Sequence, residues 1–82
     1  MFHVYILFSF SSNRFYIGQT ENIEGRLKRH NSGSEHSTKP FRPWQLVCSI
    51  EKNTRSEAII LERKLKNLNT PDLKIFIAKY KK

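Results

Sequence analysis

From Phe2 to Phe10 the chain alternates without a break: Phe2, Val4, Ile6, Phe8 and Phe10 are apolar, with His3, Tyr5, Leu7 and Ser9 between them. A strict period of two commits a segment to an extended strand, and a strand needs a partner for its backbone groups. Ser11-Ser12-Asn13 supplies turn chemistry directly afterwards, and Arg14 to Gly18 follows as a second strand. The pair predicts an antiparallel hairpin. With Ser9 opposite Ser12, Val4 meets Ile17, Ile6 meets Phe15 and Tyr5 meets Tyr16. One face is then wholly apolar and the other carries both phenols. A slip of one residue breaks both outcomes.

The pattern then changes period. Asn22 can cap a helix from Ile23 to about Asn31, which Gly33 ends. At about 100° per residue, Arg26 and His30 fall about 40° apart on its inward edge, while Lys28 and Arg29 point away. Residues 33–43, with two prolines and two cations, read as an exposed loop. Trp44 to Glu51 reads as a third strand with Trp44, Leu46, Cys48 and Ile50 on one face. Thr54-x-x-Glu57 has the form of a capping box, so a second helix starts there and runs to about Leu68, with Ala58, Leu61, Leu65 and Leu68 as its apolar stripe. Thr70-Pro71 opens a last helix, threonine capping and proline in the first position; Leu73, Phe76, Ile77 and Tyr80 form its stripe.

Composition narrows what such a chain can be. An 82-residue chain buries roughly 64% of its unfolded surface, enough for one core, so residues 1–82 read as a single domain. One cysteine, Cys48, excludes an internal disulfide and any zinc site built on paired cysteines; it reads as a small core residue. No apolar run approaches a membrane span and no leader pattern opens the chain, so a cytoplasmic protein with no membrane partner is expected. The net charge is +8, concentrated as +4 over residues 26–42 and +6 over residues 63–82. Two basic blocks in so small a body point to a polyanionic partner.

Glu62 is the most informative side chain. It lies about 40° from Ala58 and so borders the buried arc of its helix. A carboxylate there is usually salt-bridged, or given a metal. Glu57, by contrast, is explained by the capping box. Tyr5 and Tyr16 serve as ordinary strand formers, and Arg26 and His30 as an ordinary helix edge. Together the five offer a carboxylate for a metal, a fixed cation, an imidazole and two phenols. Hydrolysis of a phosphodiester needs a polarised phosphate, a positioned water and stabilised developing charge.

The order of these residues resembles the GIY-YIG nuclease family. Val4-Tyr5-Ile6 stands where the first triplet falls, and Tyr16-Ile17-Gly18 matches the second. Arg26, His30 and Ser-Glu-Ala-Ile-Ile-Leu-Glu ending at Glu62 follow in order. The resemblance covers about residues 2–70. It is closest to small stand-alone bacterial members related to the amino-terminal domain of the excision-repair nuclease UvrC, through Arg26-Leu-Lys-Arg-His-Asn-Ser-Gly33, Arg42-Pro-Trp44 and Arg55-Ser-Glu-Ala58.

The resemblance implies an α/β (α+β) fold, a three-stranded antiparallel sheet flanked by helices in the order β-β-α-β-α-α. It implies an endonuclease acting on DNA, or RNA, with low sequence specificity and a place in DNA repair or processing. Glu62 would be the single protein ligand for Mg²⁺ or Mn²⁺, water completing the shell. Arg26 would face the scissile phosphate. Tyr5 and Tyr16 would bind or activate the attacking water, one of them as general base, and His30 would share that role. Lys28, Arg29, Lys39, Arg42, Arg63 and Lys66 are the expected nucleic-acid contacts, and a monomer or weak homodimer the expected state. The first triplet departs mildly from the family pattern, with Val4 and Ile6 around a retained tyrosine, and two further positions depart from it. Gln19 follows the second triplet where several active relatives carry lysine, and Lys74 stands twelve residues beyond Glu62, where relatives often have an asparagine after the glutamate helix. The runner-up is a nucleic-acid-binding module of the same fold with little or no catalysis. A third alternative, a basic scaffold for a protein partner, leaves the tyrosine pair unexplained.

Overall fold

The computed structural model describes residues 1–80. Strands β1 (Phe2–Ser9), β2 (Arg14–Thr20) and β3 (Trp44–Lys52) form one antiparallel sheet in the order β2-β1-β3. Helix α1 (Ile23–Ser32) follows the hairpin; α2 (Arg55–Lys66) and α3 (Thr70–Tyr80) follow β3. This is the expected architecture, and β1, at the centre, is buried on both faces. Val4 and Ile6 pack with Cys48, Ala58, Leu65 and Leu73 against α2 and α3. Tyr5 and Leu7 pack with Trp44, Leu27 and Phe41 on the α1 side. The sheet therefore separates two layers, and the tyrosines lie on the α1 side.

The hairpin register differs from the expected one by two residues. Val4 faces Gln19, Ile6 faces Ile17, Leu7 faces Tyr16 and Ser9 faces Arg14. The reason is the turn, which takes the four residues 10–13 rather than two. The buried Ser9 hydroxyl accepts from the Ser12 amide at 3.3 Å and the Ser12 hydroxyl at 2.8 Å, and Asn13 adopts a left-handed φ of 56°. A shift of two returns every side chain to its original face. Tyr5 and Tyr16 are diagonal rather than directly opposed, their ring centroids 6.2 Å apart.

Four other expectations need correction. β3 does not keep Trp44, Leu46, Cys48 and Ile50 on one face, because a bulge sets in where Ile6 faces Cys48 and Leu7 faces Leu46. Val47 is the extra residue, so Trp44 and Leu46 join the α1 layer while Cys48 and Ile50 join the α2–α3 layer. Helix α3 is capped by Asn69, whose Oδ1 accepts from the Asp72 amide at 2.9 Å; Thr70 is already helical. The segment 33–43 is not uniformly exposed: it contains a 3₁₀ turn, Lys39–Phe41, and Thr38 is buried. Helix α2 also stops at Lys66, with Asn67 as its C-cap, short of Leu68.

The other helix ends are as read. Asn22 Oδ1 accepts from the Gly25 amide at 3.0 Å, Gly33 closes α1 at φ 84°, and Thr54 Oγ1 accepts from the Glu57 amide at 3.2 Å. Among the described residues no helix is long and apolar enough to cross a membrane.

Candidate active site

Two elements bring four of the five expected site residues together. The β1–β2 hairpin presents Tyr5 and Tyr16, and α1 presents Arg26 and His30 one turn apart. The Tyr5 hydroxyl lies 3.1 Å from His30 Nε2. The His30 ring packs tilted against Tyr16, centroids 4.7 Å apart at 58°, and Tyr16 meets Trp44 edge-on at 6.2 Å. Gly18 makes the close fit possible. It pairs with Tyr5, and a Cβ there would stand 2.6 Å from the Tyr5 hydroxyl.

Exposure divides the cluster. Tyr5 and His30 are each 1% exposed, whereas Tyr16 and Arg26 are only partly buried. Burial raises the Tyr5 phenol above its usual range, the neighbouring Arg26 only partly offsetting it. Burial likewise lowers His30, so the imidazole is neutral at neutral pH. The neighbouring Tyr5 hydroxyl raises the Arg26 guanidinium above its ordinary range, burial only partly offsetting this. Arg26 Nε is buried with no hydrogen-bond partner.

Several supporting residues gave no signal in the sequence. Thr38 Oγ1 meets His30 Nδ1 at 2.8 Å. Asn31 clamps α1 to β3: its Oδ1 accepts from the Trp44 amide at 2.6 Å and its Nδ2 donates to the Trp44 carbonyl at 3.0 Å. Glu35 takes Arg29 at 2.8 Å and Arg26 at 3.8 Å. Thr38 and Glu35 lie in an irregular segment, where periodicity says nothing about side-chain direction, whereas Asn31 lies in the last turn of α1. Asn31 stands in the stretch Arg26 to Gly33 that carries the family resemblance, the only hint available.

Glu62 stands apart from these four, on the α2 side of the sheet. Its Oε1 accepts from Gln19 Nε2 at 3.0 Å, and its Oε2 pairs with Lys66 Nζ at 2.8 Å. Gln19 follows Gly18 on the edge strand, so the carboxylate is anchored one residue from the glycine that covers Tyr5. Among the described residues no three His, Cys, Asp or Glu side chains cluster as a metal cage. The donor chemistry nevertheless suits a hard cation. A carboxylate has about four lone-pair positions, each Glu62 oxygen has one partner, and the Lys66 side chain is half exposed. Mg²⁺ typically takes only one or two carboxylates and keeps its waters.

Of the expected nucleic-acid contacts, Lys28, Arg29, Lys39, Arg42, Arg63 and Lys66 are all exposed. Three are already engaged: Lys66 and Arg29 in ion pairs with Glu62 and Glu35, and Arg42 through its Nε, which donates to the Lys39 carbonyl at 3.0 Å.

A sheet hairpin carrying paired tyrosines, packed on a helix edge of arginine and histidine and followed by a glutamate helix, defines a domain of the GIY-YIG type. The chain matches the GIY-YIG catalytic domain over residues 1–80, and it belongs to that family. It is similar to the structure-specific endonuclease subunit SLX1 of Debaryomyces hansenii, 41% identical over 54 residues, which is 57% of this chain and 16% of that protein. The SLX1 homolog of Brugia malayi is 41% identical over 58 residues, 60% of this chain and 17% of that one. The chain thus spans about a sixth of the length of these two relatives. The UPF0213 protein YazA of Bacillus subtilis is 29% identical over 76 residues, covering 92% of this chain and 77% of YazA. The solution structure of the UPF0213 protein BH0048 from Bacillus halodurans superposes with a TM-score of 0.61 at 28% identity, over 95% of this chain and 84% of that one.

Proposed function

We propose that this chain is an endonuclease that hydrolyses DNA phosphodiester bonds with Mg²⁺ or Mn²⁺, with low sequence selectivity, in DNA repair or processing. The observation that carries the reading is the convergence of Tyr5, Tyr16, Arg26 and His30 on one face, with a protonated guanidinium at its surface. The similarity to proteins named as structure-specific endonuclease subunits supports it.

Arg26 receives the scissile phosphate and stabilises the charge that develops on its oxygens. Tyr16, the less buried phenol, holds the attacking water. Tyr5 and His30 act from behind, as a buried wall that fixes Arg26 and the Tyr16 ring. Glu62 holds the divalent cation, which when bound polarises the phosphate and lowers the pKa of a water. Lys28, Lys39, Arg42 and Arg63 supply affinity for the backbone.

The engagement of both Glu62 oxygens by Gln19 and Lys66 favours a second reading, a nucleic-acid-binding module without catalysis. Nicking of supercoiled plasmid with Mg²⁺, with Mn²⁺ and with chelator separates the two. The endonuclease nicks with either cation, stops with chelator, and loses about 10²–10³ in rate in Glu62→Gln. Binding without metal-dependent nicking on any DNA form supports the module. Equal nicking by wild type and Glu62→Gln removes Glu62 from the metal site.

A further inference from the structure

Thr38 is 2% exposed, an unusual place for a hydroxyl, and it lies in a segment that periodicity leaves blank. It is pinned on both sides. Its Oγ1 faces His30 Nδ1 at 2.8 Å and the Glu35 carbonyl at 3.4 Å, while its own carbonyl accepts from Trp44 Nε1 at 3.0 Å. Beyond His30 lies Tyr5, and beside Tyr5 lies Arg26. Every group from Tyr5 to the Glu35 carbonyl can be given a direction.

The direction follows from counting protons. A guanidinium only donates, so at the Tyr5 oxygen Arg26 can act only as a donor. Tyr5 is buried, so its own proton must find a protein acceptor, and His30 Nε2 stands 3.1 Å away. Nε2 is then the bare nitrogen and Nδ1 carries the proton. Nδ1–H donates to Thr38 Oγ1, and the Thr38 hydroxyl donates to the Glu35 carbonyl, which accepts and ends the chain. Reversed, Nε2–H would donate to the Tyr5 oxygen and the phenol's own proton would have no acceptor, an expensive arrangement for buried polar groups.

We infer that Thr38 is a positioning residue: by accepting from His30 Nδ1 it fixes the tautomer that turns the Tyr5 hydroxyl proton towards His30 and the Tyr5 oxygen's free lone pair towards Arg26. The tautomer of a histidine is set by the hydrogen bond its other nitrogen makes, and here that bond comes from Thr38. The segment 35–38 touches the arginine twice, through this chain and through the Glu35 carboxylate at 3.8 Å from Nη1. The inference rests on the proposed reading only in taking Arg26 as the group being positioned.

Long-range ¹H–¹⁵N correlation spectra of the full chain test it, with His30 assigned against His3 and His36 by its loss in His30→Gln. In wild type above the histidine titration range, Nδ1 carries the proton. Thr38→Ser keeps the hydroxyl and the wild-type pattern. Thr38→Val keeps the shape but removes the acceptor; the proton moves to Nε2 and the Arg26 Nε–H signal shifts. Thr38→Ala gives a second hydroxyl-free variant should valine not fold. Where the wild type nicks DNA, Thr38→Val loses about 10–100-fold in kcat with KM within about twofold, and serine restores it. A wild-type His30 protonated on Nε2 overturns the inference. So does a hydroxyl-free variant that keeps Nδ1–H and an unmoved Arg26 signal. A wild type without nicking leaves both spectral outcomes decisive, so failure of the endonuclease reading is told apart from failure of this one.

Discussion

At the residue scale the site is a trade between burial and charge. His30 sits against Arg26 and Arg29 with Glu35 as the nearby anion, and burial dominates, lowering its pKa from the ordinary 6.5. Above that value both folded and unfolded chains hold a neutral imidazole. As pH falls below about 6.5 the unfolded chain takes up the proton first. Stability therefore declines from there down to the depressed folded value and then levels off. Urea unfolding across this range is expected to give a fall in wild type that is smaller in His30→Gln; parallel curves would contradict it. Gly18 makes a second residue-level case. Gly18→Ala would put a carbon 2.6 Å from the Tyr5 hydroxyl and 2.8 Å from Cζ, and the buried ring has nowhere to retreat. Thermal unfolding is expected to show a loss of about 1–3 kcal/mol, and a change below about 0.5 kcal/mol would mean that the hairpin relaxes freely.

At the scale of elements, what the sequence revealed was whatever local chemistry decides. Asn22, Gly33 and Thr54 were legible because a cap is a contact within one turn of chain. The two faces of the hairpin were legible because alternation sets them. The register was not, since it depends on the turn, and the turn depends on the Ser9 hydroxyl, which is buried by Phe41 and its carbonyl from a distant segment. The Val47 bulge was hidden for a similar reason: Trp44-x-Leu46-x-Cys48-x-Ile50 alternates without a break, and only packing on both faces of β1 splits it. In α3 the expected cap, Thr70, is already helical, and Asn69 one residue earlier takes that place. Tyr5, Tyr16, Arg26 and His30 were legible as a group because each sits on a regular element whose period gives its direction. Thr38 and Glu35 were not, lying in irregular chain. Glu57 and Glu62 test the same logic on one helix. Glu57 is exposed and shares Thr54's cap at 3.2 Å. Glu57→Gln is expected to cost about 1 kcal/mol or less in unfolding while leaving nicking unchanged; a nicking defect as large as that of Glu62→Gln would show that the helix as a whole, rather than Glu62, is what matters.

At the scale of the molecule, the net charge of +8 and its two basic blocks make a field that any polyanion meets before it reaches the site. Binding to DNA is expected to weaken linearly in log salt, and reversing Lys39 and Arg42 to glutamate should shallow the slope by about 2 while weakening all sequences alike. A flat salt dependence would favour a protein partner. Within that field, the hairpin and α1 are proposed to build an arginine site for a reacting phosphate. Single-turnover nicking of supercoiled plasmid by Arg26→Ala, with DNA affinity measured on the same samples, tests it most directly. A rate about 10²–10³ below wild type is expected, with affinity changed only a few-fold, because the proposed contact is made chiefly in the transition state. Nicking at the wild-type rate by Arg26→Ala would contradict it.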